Sequence, residues 1–104
     1  MTVRNRRIII NEATRPLLPR HAQLRFDQTR NCWVILAPER VFVPDDIAVE
    51  ILQLCDGIRT IAQIIDHLSA KYTADRQTIA TDVIAMLQDL TEKGFVAEQI
   101  DKQQ

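Results

Sequence analysis

The hydrophobic period of this chain changes at Pro44. Upstream of it, Leu24 and Phe26 alternate with Gln23, Arg25 and Asp27, the period of two of a half-buried strand. Downstream, apolar residues recur at three- and four-residue intervals, as on one face of a helix. Proline lacks an amide hydrogen and restricts the residue before it, so a strand that runs into Pro44 stops there. The chain therefore places its strands first and its helices second. At 104 residues, one domain is expected.

Three strands are predicted. The first covers residues 22–27 and ends in the polar turn Gln28-Thr29-Arg30-Asn31. The second, Cys32–Ala37, is almost continuously apolar, as suits a central strand. Pro38-Glu39 turns the chain into Val41-Phe42-Val43, and a short strand ended by proline has the character of an edge.

Three helices follow. Asp45 or Asp46 caps the first, whose predicted stripe is Ile47, Ile51, Leu54 and Cys55. Asp56-Gly57 ends it, with Gly57 as the left-handed residue after the helix. Thr60 and Gln63 form a capping box for the second helix, with Ile61, Ile64, Ile65 and Leu68 on its stripe, reaching Tyr72. The third begins near Asp75, carries Ile79, Val83, Met86, Leu87 and Leu90, and is closed by Gly94. Phe95-Val96 then folds back onto the core.

The predicted fold is α+β and winged helix-turn-helix-like, a three-stranded antiparallel sheet followed by three helices. Its expected organisation is a flexible N-terminal arm over 1–21, a body over 22–97 and a polar tail over 98–104. In the arm, Arg4, Arg6 and Arg7 precede Ile8-Ile9-Ile10, and Pro16 and Pro19 are expected to break any regular element. The isoleucine triplet is β-prone and suited to pairing with a sheet edge of this molecule or of a second copy. A monomer or a weak homodimer through the arm is expected.

Composition removes several function classes. With Gly57 and Gly94 alone, no glycine-rich phosphate loop can be written. Two cysteines without clustered histidines do not make a four-ligand zinc site. No hydrophobic run resembles a secretory signal or a membrane span, so the cytoplasm and reduced thiols are expected. Residues 1–40 carry eight arginines against three acids, and residues 41–104 carry five basic groups against eleven acids. A solvated surface explains that asymmetry more simply than a basic arm seeking acidic partners.

No catalytic constellation stands out. His21 lies in the arm and His67 on the second helix, neither with further ligands at useful spacing. Cys55 falls on an apolar stripe and Cys32 opens the central strand, so packing accounts for both. Asp45, Asp46 and Asp56 fit caps and turns. The chain is expected to be no enzyme and to bind no metal or cofactor.

A helix-turn-helix raises the alternative of a winged-helix DNA-binding regulator. Its recognition helix, the third, carries Asp75, Asp82, Asp89 and Glu92 against Arg76 and Lys93, a net charge of −2 that repels phosphates. Peptide binding uses the same elements differently. An extended peptide adds to the free edge of Val41-Phe42-Val43, and its side chains enter a groove walled by Ile79, Val83 and Met86. For Val83 and Leu87, core packing is an equally good account.

The stretch from Val43-Pro44-Asp45-Asp46-Ile47 to Ile51-Leu52-Gln53-Leu54-Cys55-Asp56-Gly57 resembles the signature of the pyrroloquinoline quinone (PQQ) biosynthesis D family. Arg59-Thr60-Ile61, Ile64-Ile65, Asp82-Val83, Gly94-Phe95-Val96 and the upstream Pro19-Arg20-His21-Ala22 are similar too, so the resemblance spans roughly residues 16–97. It implies a peptide chaperone, or recognition element for ribosomally made and modified peptides. Such a protein binds the PQQ precursor peptide, whose Glu and Tyr become the cofactor, and presents it to a radical S-adenosylmethionine (SAM) enzyme. It implies neither catalysis nor a bound cofactor, and no partner among nucleic acids or membranes. A recognition element for a different modified peptide is the sister possibility. In related recognition elements the peptide docks between the third strand and the third helix. Here that nominates Arg40, Val41, Phe42 and Val43 with Ile79, Val83, Met86 and Leu90.

Overall fold

The structure, a computed structural model, describes residues 8–100. Its elements in chain order are β1 (Pro16–Leu17), β2 (Gln23–Asp27), β3 (Cys32–Ala37), β4 (Arg40–Phe42), α1 (Asp46–Gln53), α2 (Ile61–Tyr72), α3 (Arg76–Glu92) and β5 (Ala97–Glu98). β2, β3 and β4 make one antiparallel sheet in that order, so β3 is central and β4 lies at an edge. The expected α+β, winged-helix-like order of a three-stranded sheet and then three helices is the observed one. No helix among the described residues is long and apolar enough to cross a membrane.

The sheet meets the helices through one row of side chains. Leu24 pairs with Ile35 and Ile35 with Phe42 across the register. Ile35 is fully buried, and Leu24 and Phe42 pack against the same core. That core is otherwise helical, formed by Ile61, Ile64, Ile65 and Leu68 of α2 and Val83, Leu87 and Leu90 of α3.

The caps follow the local sequence. Asp45 accepts from the Ala48 N–H and starts α1. Thr60 and Gln63 complete the reciprocal capping box of α2, and Asp75 caps α3. At the end of α3, Gly94 takes φ +86°, its N–H bonds to Thr91 O, and the Phe95 N–H bonds to Leu90 O. This is the paired closure that a left-handed residue after a helix provides. It turns Phe95 and Val96 into the core.

Three expectations are corrected. The first is the arm over 1–21, which from Ile8 onward belongs to the folded body. The Glu12 and Thr14 carbonyls accept from the N–H groups of Ala62 and Ile61 at 2.9 and 2.8 Å, so they serve the unpaired first turn of α2. Ile10 is buried, and the Gln88 side chain bonds both its N–H and the carbonyl of Ile8. The triplet thus engages α3 of its own molecule. Arg4, Arg6 and Arg7 lie outside the described residues. Pro16 does not break regular structure: it sits in β1, which pairs with β5, while its carbonyl accepts from Gly57. At the other end, Glu98 is in β5 and Gln99 N–H bonds Arg15 O, so the expected tail starts inside the ribbon. Residues 101–104 lie outside the described range.

The second correction concerns α1. It ends at Gln53, and its buried residues are Ala48, Val49, Ile51 and Leu52, with Cys55 just beyond. Ile47 lies one step, about 100°, off the Ala48–Ile51–Leu52 line and is 57% exposed. The third concerns Gly57, which does not cap α1. It takes φ +79° three residues after the Leu54 cap, in the α1–α2 turn. There Asp56 Oδ1 accepts from the N–H groups of Ile58 and Arg59, and its carboxylate pairs with Arg59.

Candidate functional site

β4 is joined to β3 by the two-residue turn Pro38-Glu39, with Glu39 at φ +61°. The register sets Ala37 opposite Arg40, Leu36 opposite Val41 and Ile35 opposite Phe42. In a ladder closed by such a turn, the flanking pair exchanges both hydrogen bonds and alternate pairs do not. Phe42 therefore spends its backbone groups on Ile35, and those of Val41 face the open side. Val41 is 49% and Val43 54% exposed.

Beyond this edge the surface sinks into two adjoining hollows. One, of about 400 Å³, is lined by Phe42, Val43 and Pro44, by Ile47 of α1, and by Asp82 and Met86 of α3. The next, of about 260 Å³, lies among Ile47, Glu50, Leu68, Tyr72, Ile79 and Asp82, with Val83 at its floor. Both have Ile47, Ile51 and Asp82 in their walls, so together they form a trough that continues from the end of β4 along α3.

The predicted contact residues divide accordingly. Val43, Phe42 and Met86 meet at the first hollow, and Ile79 and Val83 at the second. Val83 is only 1% exposed, so it supports the trough rather than offering a surface. Leu90 is also 1% exposed and lines neither hollow, which corrects its nomination as a contact. Its carbonyl accepts from Phe95 and Val96, and the returning chain covers this part of α3. Arg40 is a tie between elements: its guanidinium donates to Lys93 O at 2.7 Å and lies 4.3 Å over the Phe95 ring. Phe42 stacks on that ring as well, at 5.5 Å between centroids.

Sequence reasoning missed Ile47, Tyr72 and Asp82. Ile47 was assigned to the core because it also fits a helical stripe. Asp82 carried a usable signal, a charge set between Ile79 and Met86 on the same side of α3. The trough has an acidic lining of Asp45, Glu50 and Asp82. Lys71 and Tyr72 both donate to Glu50 and hold its carboxyl below the ordinary range.

Elsewhere the reactive groups show no catalytic grouping among the described residues. The Cys55 thiol donates to Ile51 O, and burial pushes its pKa up to about 12. Cys32 is a half-buried free thiol. His21 Nε2 is 3.1 Å from Gly94 O. No group of three or more His, Cys, Asp or Glu among the described residues is arranged to hold a metal ion.

A winged-helix-like α+β domain whose edge strand is unpaired among the described residues, beside an apolar trough, has the geometry that strand addition of an extended peptide uses. Comparison with known proteins specifies it. The chain belongs to the family described as Coenzyme PQQ synthesis protein D (PqqD), whose model matches residues 32–96. The resemblance read from Val43–Gly57 and its continuation is borne out. A PqqA binding protein of Rhodopseudomonas palustris (strain BisB5) is 69% identical over 94 residues, covering 90% of this chain and 92% of that protein. The bifunctional coenzyme PQQ synthesis protein C/D of Methylorubrum extorquens is 49% identical over 78 residues, 75% of this chain and 21% of that longer protein. The solution NMR structure of the PqqD truncation of Methylobacterium extorquens PqqCD superposes with a TM-score of 0.71 at 43% identity, covering 85% of this chain and 94% of that one. That truncation is described as a functional, stand-alone recognition element for ribosomally synthesized and post-translationally modified peptides.

Proposed function

We propose that this chain binds the PqqA precursor peptide of PQQ synthesis and presents it to the radical SAM enzyme that modifies it. The observation that carries this reading is the open side of β4 next to the trough. The edge supplies backbone donors and acceptors for an added strand, and the hollows receive side chains from one face of it. Relatives as much as 69% identical to this chain bear the name PqqA binding protein. Within the site, Val41 and Val43 are assigned the peptide backbone, and Phe42, Ile47, Ile79 and Met86 its side chains. The chain acts by binding alone, in the cytoplasm: the Cys55 thiol is buried and bonded to Ile51 O, and Asp45, Asp56 and Asp75 serve caps and turns. A DNA-binding role is disfavoured by the acidic lining, which would repel a phosphate backbone.

The test is an amide NMR titration with synthetic precursor peptide, repeated with the modifying enzyme present. Saturable shifts clustered at residues 40–47 and 79–86 are expected. Absence of shifts in both titrations, or shifts confined to other faces, refutes the reading.

A further inference from the structure

Asp82 stands where the two hollows meet and lines both of them. Its carboxylate forms no hydrogen bond or ion pair within the described structure. Asp45, in the wall of the first hollow, accepts from the Ala48 N–H through Oδ1 and has no cationic partner either. The third acid of the trough, Glu50, is already satisfied by Lys71 and Tyr72. At the other end of β4, Arg40 is bonded to Lys93 O and Lys93 to Asp89. The unpaired charges lining the trough are therefore both negative: Asp82 where the two apolar hollows meet and Asp45 in the wall of the first.

A purely apolar peptide laid across this place would strip water from Asp82 and return no partner, which costs binding energy. A peptide with a cation at that point avoids the loss and gains a charge-assisted hydrogen bond. We propose that the bound segment carries a lysine or arginine between two apolar side chains. The cation pairs with Asp82, with Asp45 in support, and the flanking side chains fill the hollows beside Val43 and Ile79. This deepens the peptide-binding reading and rests on it.

The experiment uses the full chain and calorimetric titration of synthetic precursor peptide. Peptides with each Lys or Arg singly replaced by Gln are titrated against wild type, D82N and D82K. Asp82 is exposed and bonds nothing that holds α3, so both variants are expected to melt near wild type. D82N should weaken the unmodified peptide about fivefold to tenfold, and D82K more, the scale of a partly desolvated charge pair. One Gln-substituted peptide should show the same loss against wild type and no further loss against D82N. Raising salt from about 50 to 300 mM should weaken wild type more than D82N. Wild-type affinity in both variants, or fully additive losses for every peptide cation, overturns the proposal while leaving peptide binding intact. No binding by wild type, with or without the enzyme, overturns both.

Discussion

Val41→Pro isolates the strand edge from the rest of the fold. The Leu36–Val41 pair is the non-bonded one in the β3–β4 ladder, so the Val41 N–H points to the open side. Proline at this position deletes a donor that the sheet does not use, the placement in which an edge strand accepts it. A net backbone hydrogen bond is worth about 0.5–1.5 kcal/mol. Its loss to the peptide corresponds to a roughly twofold to twelvefold weaker Kd. The Val41 side chain is half exposed, so little burial goes with it. The melting temperature is expected to fall by less than about 8 °C, the equivalent of roughly 1 kcal/mol in a domain of this size. Phe42→Pro is the contrasting variant. It deletes a donor inside the ladder and removes the ring that stacks on Phe95, so it attacks folding and binding together. Calorimetric titration with precursor peptide, paired with thermal melts, separates the two. A Val41→Pro variant that melts near wild type and binds with wild-type affinity would remove the β4 edge from the mechanism.

Two further outcomes follow from the packing. Gly57→Ala forces a Cβ onto φ +79°, with Leu17 Cδ2 3.1 Å from it. The left-handed penalty of about 1–2 kcal/mol, less the unfolded-state gain of about 0.4–1 kcal/mol and plus the Leu17 shift, should cost about 1 kcal/mol or more in urea unfolding. Peptide affinity should stay at the wild-type value, since Gly57 lines neither hollow, and a selective loss of affinity would place the turn in the site. In thiol labelling near pH 8, Cys32 should react and Cys55 should stay protected until the chain unfolds. Burial raises the Cys55 pKa from 9.0 to about 12, so the folded state keeps a proton that the unfolded chain releases. Its contribution to stability is complete below pH 9.0 and is lost as pH rises toward about 12. The decline should flatten in Cys55→Ala.

Local signals were the legible ones. Thr60 with Gln63, Asp75, Pro44 and Gly94 each act within a few residues of themselves, and each does in the structure what its type dictates. The strand edge was legible because Pro44 follows within two residues of Phe42, so β4 keeps only three residues after the Pro38-Glu39 turn. What depends on distant partners was hidden. Nothing around Glu12 or Thr14 announces that their carbonyls will receive the first N–H groups of α2, about fifty residues on. Nothing around Pro16 announces a strand, because β1 exists only where β5 and the Asp56-Gly57 turn come against it. Ile47 shows the limit of periodicity. Ile47–Ile51 and Ala48–Ile51–Leu52 are both acceptable helical stripes. The choice between them is made by where the sheet sits, and it decides whether Ile47 fills the core or walls the trough.

Charge on α3 shows why position carries more than a sum. The net −2 read along residues 75–93 argues against a nucleic-acid groove, but most of it is engaged within the helix. Asp75 caps the first turn through the Thr78 N–H, Asp89 pairs with Lys93, and Glu92 accepts from Gln88. A phosphate backbone approaching those three would meet carboxylates already partnered and weakened as repellents. Asp82 is different, because it is unpartnered and set between Ile79 and Met86 at the meeting of two apolar hollows. A carboxylate there adds to the acidic lining that disfavours phosphate, and in the proposed pairing it selects a cation flanked by hydrophobic side chains. The charge that disfavours one partner is thus the charge proposed to choose the other.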